Sequence, residues 1–264
     1  MNNALRAVWR FRGFVLTSVK REFQSKYRNS LLGAAWMVIH PLSMILVYTV
    51  IFSHMMKSKL PGVEGGFAYS IYLCAGVLTW GLFVEIVSRA QTIFIDNANL
   101  LKKLSFPTLC LPLIVVLNAL LNFAIIAGLF IGFLLLAGLF PGWVALTALP
   151  VLLIQVLFSI GLGITLGVFN VFFRDVGQLF AVVINFWFWF TPIVYPANIL
   201  PASLAHWLAF NPMASLVGAY QQIFVHGRAP DWAGLLPVTL LSVVMCVLAA
   251  QLFKRHAGEM VDEL

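Results

Sequence analysis

The chain alternates long uncharged apolar runs with short charged breaks. No Asp, Glu, Lys or Arg occurs from Leu31 to Met56, from Leu104 to Phe173, from Val176 to Gly227 or from Trp232 to Phe253. A membrane helix needs roughly 20 apolar residues to cross about 30 Å of hydrocarbon. A charge at the bilayer centre costs about 3 kcal/mol. The pattern therefore predicts an all-α integral membrane protein with about six transmembrane helices. Span 1 covers 31–56 with Pro41 inside it. Span 2 covers 67–89, and spans 3 and 4 share the longest uncharged run, divided by Phe140-Pro141-Gly142. Span 4 ends at Phe172-Phe173-Arg174-Asp175, span 5 begins near Leu179, and span 6 covers 232–253. Between spans 5 and 6, Pro196, Pro201, Pro212 and Pro230 interrupt an apolar stretch. That combination predicts an outer re-entrant or interfacial hairpin, because irregular backbone at membrane depth must be covered by protein.

Residues 1–30 have a different pattern. Val8, Phe11, Val15, Val19, Phe23 and Tyr27 recur at steps of three or four among seven basic residues. The pattern predicts an amphipathic basic helix, or two short ones, of the interfacial type. Two readings stay open: an anchor on anionic lipid, or a lever that touches a cytoplasmic partner. The expected organisation is an interfacial helix over 1–30, a six-span domain over 31–254 and a cytoplasmic tail over 255–264.

Composition reinforces the membrane reading, with 62% hydrophobic and 9% charged residues against roughly 25% charged in soluble domains. Charge then orients the spans. Thirteen of the sixteen Lys and Arg residues fall on the side of the N-terminus, and Lys57, Lys59 and Arg228 on the other. The positive-inside rule places both termini in the cytoplasm. The net charge of +7 is then accounted for by anionic lipid, and no nucleic acid is expected as a partner. Cys74, Cys110 and Cys246 sit singly in apolar segments and are expected to be inert thiols.

The chemistry left out is equally informative. No Lys follows a Gly, so the phosphate-cradling GxxxxGK[ST] loop is absent. The five histidines are scattered without ligand spacing; His40, inside span 1, is read as structural or as a substrate or proton contact. The central parts of spans 3 to 6 carry no ionisable relay, which argues against ion-coupled transport. The chain is expected to be a transport subunit that is not itself an enzyme and holds no cofactor, with ATP and Mg on a partner.

Several segments in order resemble the ABC-2 type permeases, most closely the subunits that export lipid-linked polysaccharides such as O antigen, capsule and teichoic acid. These are Val19-Lys20-Arg21-Glu22 through Lys26-Tyr27-Arg28-Asn29-Ser30-Leu31-Leu32-Gly33 with Trp36 and Pro41, then Leu100-Leu101-Lys102-Lys103-Leu104-Ser105-Phe106-Pro107. Phe172-Phe173-Arg174-Asp175, Thr191-Pro192-Ile193-Val194-Tyr195-Pro196 and Asn211-Pro212 complete the set. Two positions depart from the family: Glu22 stands where Asp is frequent, and Gln221 follows Tyr220 where a basic residue is expected. The resemblance implies a homodimer of this subunit in the inner membrane with two copies of a separate ABC ATPase. It implies a glycan on a polyprenyl diphosphate as the substrate. It implies ATPase docking through Asn97, Asn99, Leu101, Lys102, Lys103 and Phe106, and a cytoplasmic gate or interface at Arg21, Glu22, Lys26, Tyr27 and Arg28. A permease for a small amphipathic molecule and a polyprenyl-lipid transferase are the alternatives; the latter would want clustered acids or His, which the chain does not show.

Phe186-Trp187-Phe188-Trp189-Phe190 puts five aromatics in a row, with Tyr195 close behind. At 3.6 residues per turn, 186, 189 and 190 share a face and 187 sits on another. Phe186, Trp187, Trp189, Phe190 and Tyr195 are candidates for a substrate path with flat stacking surfaces. The competing reading is an interfacial aromatic belt.

Overall fold

The structure is a computed structural model that describes residues 9–25, 35–55, 67–103, 108–197, 201 and 206–264. Every regular element among them is helical. In chain order these are α1 (Arg12–Ser25), α2 (Trp36–Met55), α3 (Ala68–Asp96), α4 (Ala98–Lys103), α5 (Cys110–Leu136), a 3-10 turn (Gly142–Thr147) leading into α6 (Ala148–Phe172), α7 (Asp175–Trp189), α8 (Pro212–His226) and α9 (Trp232–Glu263). Among the described residues four helices are long and apolar enough, by length and composition, to cross a membrane: α3, α5, α6 with its leading 3-10 turn, and α9. Two further apolar helices take the positions expected for spans 1 and 5. These are α2, 20 residues with Pro41 inside it, and α7, 15 residues.

Side-chain contacts fix the topology. Gln155 on α6 donates to the Thr79 carbonyl on α3 at 2.7 Å, and Asn170 to the Gln91 carbonyl at 3.1 Å, so α3 and α6 run in the same direction. Ser242 on α9 donates to the Ile154 carbonyl at 3.3 Å, and the Cys246 thiol meets the Leu157 carbonyl at 3.2 Å, so α9 runs with them. Asn122 on α5 donates to Glu85 on α3 at 2.8 Å, while Phe133 meets Phe67, so α5 is antiparallel. The apolar stretch of α3 is mostly buried within the protein, whereas those of α5 and α9 are mostly not. The core is thus α3 against α6, while α5 and α9 turn most of their apolar surface outward.

Glycine sets the closest approaches. A Cβ on Gly163 would lie 2.6 Å from the Ala90 Cβ, and one on Gly167 would lie 2.7 Å from the Ala90 carbonyl oxygen. On the other side of α6, a Cβ on Gly161 would lie 2.8 Å from the backbone of α9. Small residues at such spacing let membrane helices approach backbone to backbone, where packing takes over from a hydrophobic effect that lipid does not supply.

The segment between α7 and α9 is re-entrant. At 1.5 Å per residue, α7 reaches only about 22 Å, short of a full crossing. The chain then climbs: Tyr72 donates to the carbonyls of Pro192 and Tyr195 at 2.9 and 3.0 Å, and Tyr69 to that of Val194. It returns to the end of α7 at Asn211, whose amide donates to the Phe190 carbonyl at 3.1 Å. Asn211 also caps α8, its Oδ1 accepting from the Met213 and Ala214 amides, which removes two orphan donors of the helix N-terminus. Pro212 fits the next position, where no amide hydrogen is needed. α8 then rises to Gly227, whose φ of 60° is the left-handed closure glycine allows most readily. Finally, α9 does not stop at Phe253 but continues helical to Glu263, so the last charged residues prolong the span as a helix.

Candidate functional site

At one end of the bundle, called here the basic end, α1 lies along the start of α5. Phe11, Val15 and Val19 pack on Cys110, Leu113, Ile114 and Leu117. The apolar stripe of the N-terminal helix, as far as it is described, is covered by protein. Beyond this contact a polar network joins three helices. Glu22 of α1 pairs with Arg89 of α3 and accepts from Asn118 of α5 at 2.6 Å. Arg89 also faces Glu85 at 3.9 Å, and Glu85 accepts from Asn122 at 2.8 Å. Asn118 and Asn122 are one turn apart and Glu85 and Arg89 are one turn apart, so each helix presents one polar edge to the other. A cleft of about 940 Å³ opens beside the network, lined among others by Arg21, Glu22, Arg89, Asp96, Asn97 and Asn99. Two cations and two carboxylates balance there, so the cleft is polar without being a strong trap for either sign.

Arg21 and Glu22 stand together at this cleft, and both are exposed. Lys26, Tyr27 and Arg28 lie outside the described residues, as does Phe106. The short helix α4 separates its residues by face. Leu100 and Leu101 pack on the cluster of Ala90, Phe94, Val171 and Met260. Asn97 donates to the Ile93 carbonyl at 2.8 Å and closes the end of α3. Asn99 and Lys102 are exposed. Lys103 ends the helix, and its side chain lies outside the described part. The expected docking residues therefore divide into a pair that holds the helix, Asn97 and Leu101, and a pair that offers a surface, Asn99 and Lys102.

The aromatic run of α7 divides in the same way. Phe186, Trp189 and Phe190 are exposed on one face. Trp187 points inward, its indole donating to Asn211 at 2.8 Å and its ring edge-on to Trp80, Phe83 and Phe158. Tyr195 is half-buried and donates to the Trp189 carbonyl at 2.7 Å. The structure brings 186, 189 and 190 together and sets Trp187 apart as a packing residue. Gln221, in place of the expected basic residue, donates to the Pro192 carbonyl at 3.1 Å; a buried cation there would lack a counter-charge.

Sequence reasoning passed over Asn118, Asn122, Gln155 and Asn170, which cross-link the spans. The available signal was a polar amide inside an otherwise apolar run, most plainly the i, i+4 pair Asn118 and Asn122. It also passed over Gly163 and Gly167, whose GxxxG spacing is a packing signature.

Comparison with known proteins agrees with this architecture. Residues 14–225 match the family model described as ABC-2 type transporter. The chain is 31% identical, over the full length of both proteins, to the O-antigen export system permease protein RfbA of Myxococcus xanthus. It is 27% identical to the protein of the same name from Klebsiella pneumoniae, over 89% of this chain and 88% of that one. A more distant similarity, 18%, joins it to the polysialic acid transport protein KpsM of Escherichia coli over 91% of this chain and 92% of the other. With its apolar helices, its re-entrant turn and a family match across most of its length, the chain belongs to the ABC-2 type transporter membrane proteins.

Proposed function

We propose that this chain is the permease subunit of an ABC exporter that carries an O-antigen-type polysaccharide, linked to polyprenyl diphosphate, across the cytoplasmic membrane. It acts as a homodimer with two copies of a separate ATPase, which supplies ATP and Mg chemistry. The observation that carries this reading is the full-length identity of 31% with a protein named as an O-antigen export permease. The charge distribution supports placing both termini, and with them the basic end, in the cytoplasm. The exposed Asn99 and Lys102 on a short helix braced by Leu100 and Leu101 suit a docking surface for the motor. The exposed face of Phe186, Trp189 and Phe190 suits a path wall on which sugars stack without being trapped.

The experiment is deletion and complementation in the source cell. Loss of the gene is expected to abolish surface polysaccharide while lipid-linked polymer accumulates inside, and reintroducing the gene restores export. Unchanged surface polymer, with loss of resistance to a small amphipathic compound instead, would reassign the substrate.

A further inference from the structure

At the end opposite the basic one, α3, α5, the start of α6 and α8 enclose a cavity of about 280 Å³. Ala75, Phe123, Phe130, Leu149 and Phe224 are among its walls, and the lining is almost wholly apolar. Thr79 is also in the wall, but its hydroxyl donates to the Ala75 carbonyl at 2.8 Å. Tyr220 is the exception: it lines the cavity, is 4% exposed, and its hydroxyl has no partner among the described residues. A buried hydroxyl left unbonded costs about 1–3 kcal/mol, so the group calls for an acceptor.

Three occupants can be weighed. A water needs two to four polar partners, and apolar cavities of about 150 Å³ stay dry while accepting benzene; a single phenol does not hold one here. A polyprenyl chain fills the space but brings no acceptor along its hydrocarbon. A fatty acyl chain brings both, a flexible hydrocarbon and one ester carbonyl. The cavity is also placed for lipid access, since Phe140, Ala145 and Leu146 of the connecting turn border it and α5 leaves most of its surface outside the chain. We propose that this cavity seats one acyl chain of a glycerophospholipid from the leaflet at that end, its ester carbonyl accepting from Tyr220. The lipid wedges the re-entrant helix α8 against α3 and α5, where Phe224 already meets Phe130 edge-on at 5.4 Å. The site is independent of which substrate the exporter carries.

The test uses the full chain with its ATPase in phosphatidylethanolamine bilayers containing a trace of the same lipid with a diazirine on one acyl chain. Photolabelling is expected within 119–134, 145–152 and 212–226. Tyr220→Phe, which keeps the ring, removes one hydrogen bond and lowers labelling about fivefold. Ala127→Trp, which fills the cavity, abolishes it. In the wild-type protein, an ether-linked analogue without the carbonyl labels at the level of the Phe variant. Equal labelling by ester and ether lipid overturns the assignment of the carbonyl. Labelling that survives Ala127→Trp, or that is absent from these segments, overturns the site. A diazirine polyprenyl phosphate that displaces the phospholipid label overturns the choice of occupant.

Discussion

Replacing Glu22 tests whether the polar network holds α1 to the spans. Val15 and Val19 are 2% and 6% exposed. Burying such a side chain away from water contributes about 1.5–3 kcal/mol, so the stripe supplies at most about 3–6 kcal/mol of docking, and less to the extent that the released helix rests its apolar face on lipid. Glu22 adds a hydrogen bond from buried Asn118, worth about 1.5–3 kcal/mol to a charged acceptor. Its pairing with Arg89 is weaker, because the side chains are 30% and 45% exposed and solvent screens such pairs to about 0–1 kcal/mol. Arg89 also keeps Glu85 as a neighbour. Glu22→Ala should then cost about 2 kcal/mol, a shift of about 30-fold in the docking equilibrium. Glu22→Gln retains an acceptor for Asn118 and should cost about 1 kcal/mol, or about fivefold. Amide hydrogen exchange of 12–25 in the reconstituted complex reads this local opening directly. The expected order is wild type slowest, then Gln, then Ala, with Val15→Ala/Val19→Ala fastest because it removes up to about 3 kcal/mol of stripe. If Glu22→Ala leaves exchange unchanged, the network does not hold the helix. If it exceeds the double valine variant, the apolar stripe is not the main attachment.

Other outcomes follow from the same contacts. Gly163→Leu or Gly167→Leu should cost at least about 2 kcal/mol by forcing α6 from α3, seen as lost folded protein in detergent; Gly128→Leu, with nothing within 4 Å of its Cβ, should be tolerated, and equal damage would contradict the packing argument. Asn99→Ala/Lys102→Glu should reduce copurification of the ATPase without changing the melting of the spans, and normal copurification would remove this surface from docking; Leu101→Ala should instead lower the melting temperature. Trp187→Phe should cost about 1 kcal/mol through the lost bond to Asn211 and Trp187→Ala about 3–5 kcal/mol. Phe186→Ala and Trp189→Ala should leave the protein folded and reduce surface polysaccharide at constant subunit level; full export by both would remove this face from the path.

The spans were legible in the sequence because lipid is an unforgiving solvent. A charge-free run of the right length has few alternatives, and the breaks at Phe140-Pro141-Gly142 and Arg174-Asp175 fall where the helices turn. What separates the spans from one another was much less legible. In α7 helical geometry places Trp187 apart from Phe186, Trp189 and Phe190, but an all-aromatic stretch gives no polarity by which to tell the inner face. Asn211 decides it, from 24 residues away in the chain, by accepting from the Trp187 indole. The same Asn211 caps α8 and meets the end of α7, so one amide sets both the depth of the re-entrant turn and the orientation of the aromatic run. A charge count also ends a span where it does not end a helix: the charge-free run stops at Lys254 and Arg255, yet α9 continues to Glu263, and Met260 on that extension joins Phe94 and Leu101 in one cluster. The surface offered by α4 is thus braced from both ends of the chain's helical order, by α3 before it and by the last turns of α9. If the proposed motor docks on Asn99 and Lys102, its motion reaches α3 and α9 together through that cluster, while Arg89, one turn back from Ile93 on α3, connects α3 to Glu22 and α1.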